Sequence, residues 1–272
     1  MQRPPGRSLP PILSSRPSYE WINSINRKLE ELNSIQPPRG PRIAVPPWME
    51  SDFVFSTLSL TGARVERARV EEMVRSGHAP APGSEAPKNE AKDASVIRLL
   101  RALRAVVARV ESEGGGARLT PDFLLSLDRK ADGSPGEFRK GRADQPKGAG
   151  RAPRLAAPPE YLPAMVESAC LWFTAGSFEE MHPLEQASIV HLRLIEIQPF
   201  EEGNEELSLA SASLFTLRSG LPPVIVPQGM SDAYREAVDE GFRMNTRPMV
   251  ELIARAAEKT LGEMIESFKA SR

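Results

Sequence analysis

One cysteine, Cys170, stands in a chain of 272 residues. A lone cysteine excludes an internal disulfide and a cysteine-rich zinc site. Neither sign of charge is in excess: 35 Lys and Arg face 36 Asp and Glu, for a formal net charge of -1. That balance lacks the basic surplus of a global nucleic-acid or membrane-surface binder, so neither is expected as a partner. No apolar run approaches the roughly 18 residues of a transmembrane helix. Residues Met1 to Pro11 are polar and proline-rich, without the apolar stretch of a signal peptide, and a soluble cytoplasmic protein is the expectation. Internal repeats and a glycine-rich nucleotide fingerprint are also missing, and only Val224 to Val226 carries a strand signal.

Apolar residues make up 40 % of the chain and charged residues 26 %, a globular composition. Proline is abundant, with 26 in all. Ten lie in the first 50 residues and bracket one helical stretch, Ser18 to Ile35. Apolar spacing predicts further helices over Trp48–Leu58, Val65–Arg75 and Val96–Val110, and a short one from the Thr120 cap to Leu127. Gly77 to Asn89 reads as a loop between the second and third of these. More helices follow over Tyr161–Ala175, stopping at Gly176, and over His182–Ile197, Glu205–Ser219 and Ser231–Arg243. The last starts at the Thr246 cap. The expected fold class is therefore all-α. Three regions are expected: a proline-rich arm with one helix at 1–47, N-terminal helices at 48–130, and a helical core at 131–272. That core opens with a loop at 132–158, which holds five glycines, four prolines and six basic residues against three acidic ones. It reads as a surface loop or a docking flap.

One segment concentrates the chemistry: Gln198-Pro199-Phe200-Glu201-Glu202-Gly203-Asn204-Glu205-Glu206 joins two strong helices. A Gly-Asn step before a helix leaves backbone N–H groups that suit an anion. The plainer reading makes Asn204 the N-cap, with Glu205 and Glu206 as first-turn carboxylates each worth about 0.3–1 kcal/mol.

This segment and its surroundings resemble the Fic/Doc family. Its motif reads H-P-F-x-[D/E]-G-N-G-R-x-x-R, against Q-P-F-E-E-G-N-E-E-L-S-L over Gln198 to Leu209. The lead-in Met181-His182-Pro183-Leu184, the trailing Leu217-Arg218-Ser219-Gly220-Leu221-Pro222-Pro223, the flap-like Gly136-Glu137-Phe138-Arg139 and the regulatory-like Thr57-Leu58-Ser59-Leu60-Thr61-Gly62 fall in family order. The resemblance implies a Fic-fold bundle with an N-terminal helical extension. It further implies transfer of AMP from ATP, with Mg²⁺, to a hydroxyl of a protein target that docks on the flap at Phe138 and Arg139.

The differences alter the implied chemistry. Gln198 stands where the family has its proton-accepting histidine, and an amide is no base near neutral pH. Losing a general base costs on the order of 10²–10⁴ in rate. Glu202 keeps the position of the metal-binding carboxylate, and Gly203 and Asn204 are kept beside it. Glu205 replaces a glycine, and Glu206 and Leu209 replace the phosphate-binding arginines. Each lost charge-assisted hydrogen bond is worth about 1.5–3 kcal/mol. A carboxylate about 5 Å from a phosphate adds roughly 1–3 kcal/mol of repulsion. With both arginines replaced and two carboxylates gained, ATP and Mg²⁺, which the family implies, are not expected to bind in the family pose, and Thr61 at the position of the family's inhibitory glutamate reads as a switch given up together with Leu209. The expected function is a regulatory or protein-interaction pseudoenzyme with an unidentified protein partner. The alternative is a group transfer of another kind that uses Glu202 and a divalent metal. The cluster Glu201, Glu202, Glu205 and Glu206 reads as a solvated helix start, or else as a cation or basic-partner site. His191 reads as a core histidine, His182 as a helix-start residue and His78 as a loop residue. Cys170 reads as packing, and Ser208, Ser211 and Ser213 as packing or capping hydroxyls.

Overall fold

A computed structural model describes residues 20–35, 44–76, 90–128, 134–141 and 156–270. The described residues form eleven α-helices and no strands. In chain order they are α1 (Glu20–Ile35), α2 (Pro47–Leu60), α3 (Arg67–Ser76), α4 (Glu90–Glu113), α5 (Pro121–Leu127), α6 (Leu162–Trp172), α7 (Gly176–Glu179), α8 (Pro183–Ile197), α9 (Asn204–Leu217), α10 (Ser231–Gly241) and α11 (Arg247–Ala270). The all-α expectation stands. The first arm residues, the Gly77–Asn89 loop with His78, and 142–155 of the flap-like stretch lie outside the described residues.

The centre is the α8–α9 hairpin, with α4 laid across α9. On one side α11 packs on α1, α10 and α8, and on the other α2 and α3 pack against α4. Its helix starts follow from local chemistry. Thr120 Oγ1 accepts the Phe123 amide at 3.2 Å, as its cap position predicts. His182 Nδ1 accepts the Leu184 amide, and Glu185 reaches back to the His182 amide at 3.0 Å; Pro183 occupies the first helical position. In α9 the hydroxyls of Ser211 and Ser213 donate to carbonyls four residues back, so an apolar core accommodates them without orphaned polar groups.

Three sequence expectations are corrected. The helix expected from Val96 begins at Glu90, because its first turn is polar and carries no apolar signal. Gly176 does not terminate a helix running to Ala175; α6 stops at Trp172 and Gly176 opens the short α7. Val224 to Val226 are buried and extended but lie in no sheet, and the Val224 amide donates instead to Ser213 Oγ at 2.9 Å.

The turn between α10 and α11 holds a conformational cost. Met244 has φ +65° and is 91 % exposed, at a position where glycine usually ends a helix. Met244→Gly removes the Cβ strain of the left-handed region, partly offset by glycine's chain entropy. A gain of about 0.5–1 kcal/mol is expected, read as a higher urea midpoint at unchanged slope.

Candidate functional site: the loop between α8 and α9

The loop is built by backbone geometry before any chemistry. α8 ends at Gln198, whose φ of +51° is left-handed and whose amide still bonds Leu194 O. Gly203 enters α9 at φ +74°. The left-handed backbone favours glycine there, and a Cβ would sit 2.5 Å from Arg98 Nη2, so the guanidinium lying on Gly203 would have to swing away. Asn204 is not the N-cap; Gly203 is. The Asn204 side chain instead closes the loop on itself. Its Oδ1 accepts the Phe200 amide at 2.9 Å, and its Nδ2 donates to the Phe200 carbonyl at 2.8 Å. Phe200 is buried beneath. The loop is thus clamped at both ends and anchored by one aromatic.

Arg139 fixes the loop to the flap-like segment. Its side chain is 1 % exposed, so it is not on the exposed docking surface expected for the flap. Nε donates to Gln198 O at 2.6 Å, Nη1 to Gly141 O at 2.9 Å and Nη2 to Ala157 O at 2.6 Å. Its own amide donates to Pro199 O. Burial lowers the guanidinium's affinity for its proton, and the Glu201 carboxylate opposes this. Glu201 accepts the amides of Lys140 and Gly141, which hold its carboxyl below the usual range. Phe138 is half-buried against the core. Both edges of the unassigned stretch 142–155 are therefore tied to the residue at the motif's first position.

The α9 first turn meets the regulatory-like segment. Thr61, at the end of α2, donates from Oγ1 to Glu206 Oε1 at 2.9 Å. Two residues separated by 145 positions, one closing α2 and one in the first turn of α9, thus share a hydrogen bond. Leu209 is fully buried.

His191 lies in the core below. Ser208 Oγ donates to Glu205 O at 2.8 Å, so its oxygen accepts from His191 Nδ1 at 2.7 Å. His191 Nε2 then accepts the Tyr234 hydroxyl at 2.9 Å. Burial pushes the imidazole pKa down to about 3. The pair is a neutral strut joining α8, α9 and α10, and neither His191 nor Ser208 reaches the loop surface. Ser211 and Ser213 are buried helix hydroxyls and Cys170 is a buried thiol that burial raises to about 12.

The histidine sets a pH dependence. Its folded pKa of about 3 lies below the unfolded value of about 6.5, so the unfolded chain binds the extra proton between them. Its contribution is intact above about pH 6.5 and is lost as pH falls. About 2 kcal/mol is expected to go between pH 7 and 5, with His182, also lowered by burial, acting in the same direction. Urea unfolding at the two pH values measures it, and His191→Gln is expected to flatten the difference.

Residues 118–216 match the Fic/DOC family. They belong to it. The chain is 25 % identical over 278 residues to the protein adenylyltransferase fic-1 of Caenorhabditis elegans, covering 98 % of this chain and 52 % of that protein. It is 27 % identical over 221 residues to the Caenorhabditis briggsae fic-1, at 80 % and 42 % coverage. The chain thus spans about half the length of these relatives. In fold it is similar to C. elegans Fic-1 residues 134–508, with TM-score 0.71, 20 % identity and coverage of 93 % and 74 %. It is also similar to a Fic-domain signalling protein of Bacteroides thetaiotaomicron, with TM-score 0.75, 17 % identity and coverage of 91 % and 98 %.

The carboxylates around the α8–α9 loop do not converge on one point. Glu202 is exposed, Glu201 is turned to two backbone amides, and Glu206 to Thr61. Among the described residues no group of three or more His, Cys, Asp or Glu side chains is placed to hold a metal ion. Magnesium takes near-octahedral oxygen ligation, usually with substrate phosphates. One exposed carboxylate does not fit a resident metal, and no step is routed through one. No helix among the described residues is long and apolar enough to cross a membrane. Sequence reasoning missed Arg98, which α4 lays on Gly203, and the buried role of Arg139; neither has a local signal.

Proposed function

We propose that this chain is a Fic/DOC-family protein that does not transfer AMP in the family manner, and that it acts through protein contacts as a regulatory pseudoenzyme. The supporting observation is the α9 first turn. Its Glu206 side chain accepts a hydrogen bond from Thr61, and Leu209 is buried in the core. Neither position offers a cation to a phosphate. Gln198 carries an amide at the place of the base, and the loop is nonetheless fully braced by Asn204 and Arg139. A scaffold kept rigid while its charges are inverted fits a binding role better than turnover. Partner and target are a protein of unidentified sequence.

Thermal-shift titration with ATP, ADP and AMP, with and without Mg²⁺, tests the reading. No shift at millimolar nucleotide is expected. A saturable Mg²⁺-dependent ATP shift of several degrees contradicts it.

A further inference from the structure

We infer that the exposed face of α6 is a docking surface for a basic amphipathic helix, a reading that extends the interaction role proposed above. α6 buries one apolar face and exposes large apolar side chains on the other. Leu162, Val166, Ala169 and Cys170 point into the core. On the opposite face, helical spacing aligns Tyr161, Ala164, Met165, Ser168, Leu171 and Trp172. Tyr161 is 58 % exposed, Leu171 71 % and Trp172 42 %. Three large apolar side chains exposed along one short helix face form a patch of the kind that marks a docking surface.

The anchors are rigid. The Trp172 ring lies 5.2 Å from Phe178, and Phe178 lies 5.7 Å from Phe215 of α9, so the indole is held by an aromatic chain that runs into the core. Ala164 and Ser168, both small and exposed, lie along the helix between Tyr161 and the Leu171–Trp172 pair. The eleven residues of α6 span about 16 Å, enough for apolar side chains at i, i+4 and i+7 of a partner helix.

Charge selects the partner. No Lys or Arg occurs between Arg154 and Arg193, while Glu160, Glu167, Glu179, Glu180 and Glu185 do. Glu160 and Glu167, at the start and in the middle of this helical segment, are exposed, as is Glu180 at the end of α7, and Glu179 is paired with Arg118. An apolar strip with an acidic rim complements an apolar ridge flanked by Lys or Arg.

Two synthetic helical peptides with the same apolar ridge, one with Lys and one with Glu on the polar face, test this against the full chain. The Lys peptide is expected to bind at least tenfold tighter in calorimetry, and more weakly as salt rises. NMR shifts are expected to centre on Tyr161, Ser168, Leu171 and the Trp172 indole. Leu171→Ser, at an exposed position that leaves folding intact, is expected to cost about tenfold. Glu160→Lys with Glu167→Lys is expected to abolish the preference between peptides. Equal binding of both peptides, shifts centred on Glu201 to Glu206, or broadening of the α6 resonances by self-association without peptide overturns the proposal. AMP transfer by the chain would overturn the inactive-site reading while leaving the peptide result standing, so the two fail separately.

Discussion

Arg139→Met is expected to destabilise the chain by about 3–5 kcal/mol. The guanidinium is buried and donates to three carbonyls, from Gln198, Gly141 and Ala157. Charge-assisted bonds of this kind contribute about 1.5–3 kcal/mol each, and an orphaned buried carbonyl costs about 1–3 kcal/mol. Partial hydration of the opened segment keeps the total below the simple sum. Arg139→Lys recovers only part of it, since a single ammonium cannot reach three carbonyls in the planar arrangement of a guanidinium. Urea unfolding gives the global figure. Hydrogen exchange gives the local one, with faster exchange expected in the amides of Arg139, Lys140 and Gly141 than in the α11 core.

Glu205→Gly with Glu206→Arg is expected to raise affinity for ATP by at least a hundredfold over the unaltered chain. The change removes two carboxylates, each opposing a phosphate by roughly 1–3 kcal/mol. It also adds one charge-assisted bond of about 1.5–3 kcal/mol. Even the low end of that sum exceeds the roughly 2.7 kcal/mol of a hundredfold change. The variant also releases Thr61, whose single hydroxyl proton can then go to Leu58 O, 3.2 Å away. Leu209 is better left in place. It is fully buried, and an arginine there would bury an unpaired charge and threaten the fold. Calorimetry with Mg²⁺ and ATP reads the gain, and an unchanged affinity would show that the side-chain charges are not what keeps ATP out.

The helices were legible because their signals are local. Apolar spacing, the Thr120 cap, the Pro183 first turn and the glycine stops set most boundaries of α5, α8 and α9 in the sequence. The loop motif was legible for the same reason, as a contiguous string from Gln198 to Leu209. What holds that string was not. Thr61 and Glu206 meet across 145 residues, Arg139 reaches Gln198 across 59, and Arg98 comes to Gly203 from α4. Such contacts leave no periodic trace. Asn204 shows how a local rule can mislead. Its type and position suit a helix cap, but the left-handed Gly203 takes that place and frees the amide to clamp Phe200. The backbone at Gly203 had to be known before the side chain at 204 could be assigned.

The most direct measurement is incubation of the unaltered chain with ATP labelled at the α-phosphate, Mg²⁺ and a cell lysate. Label in protein is expected to stay at the level of a control without the chain. Incorporation of AMP that depends on the chain and rises with its concentration would contradict the account.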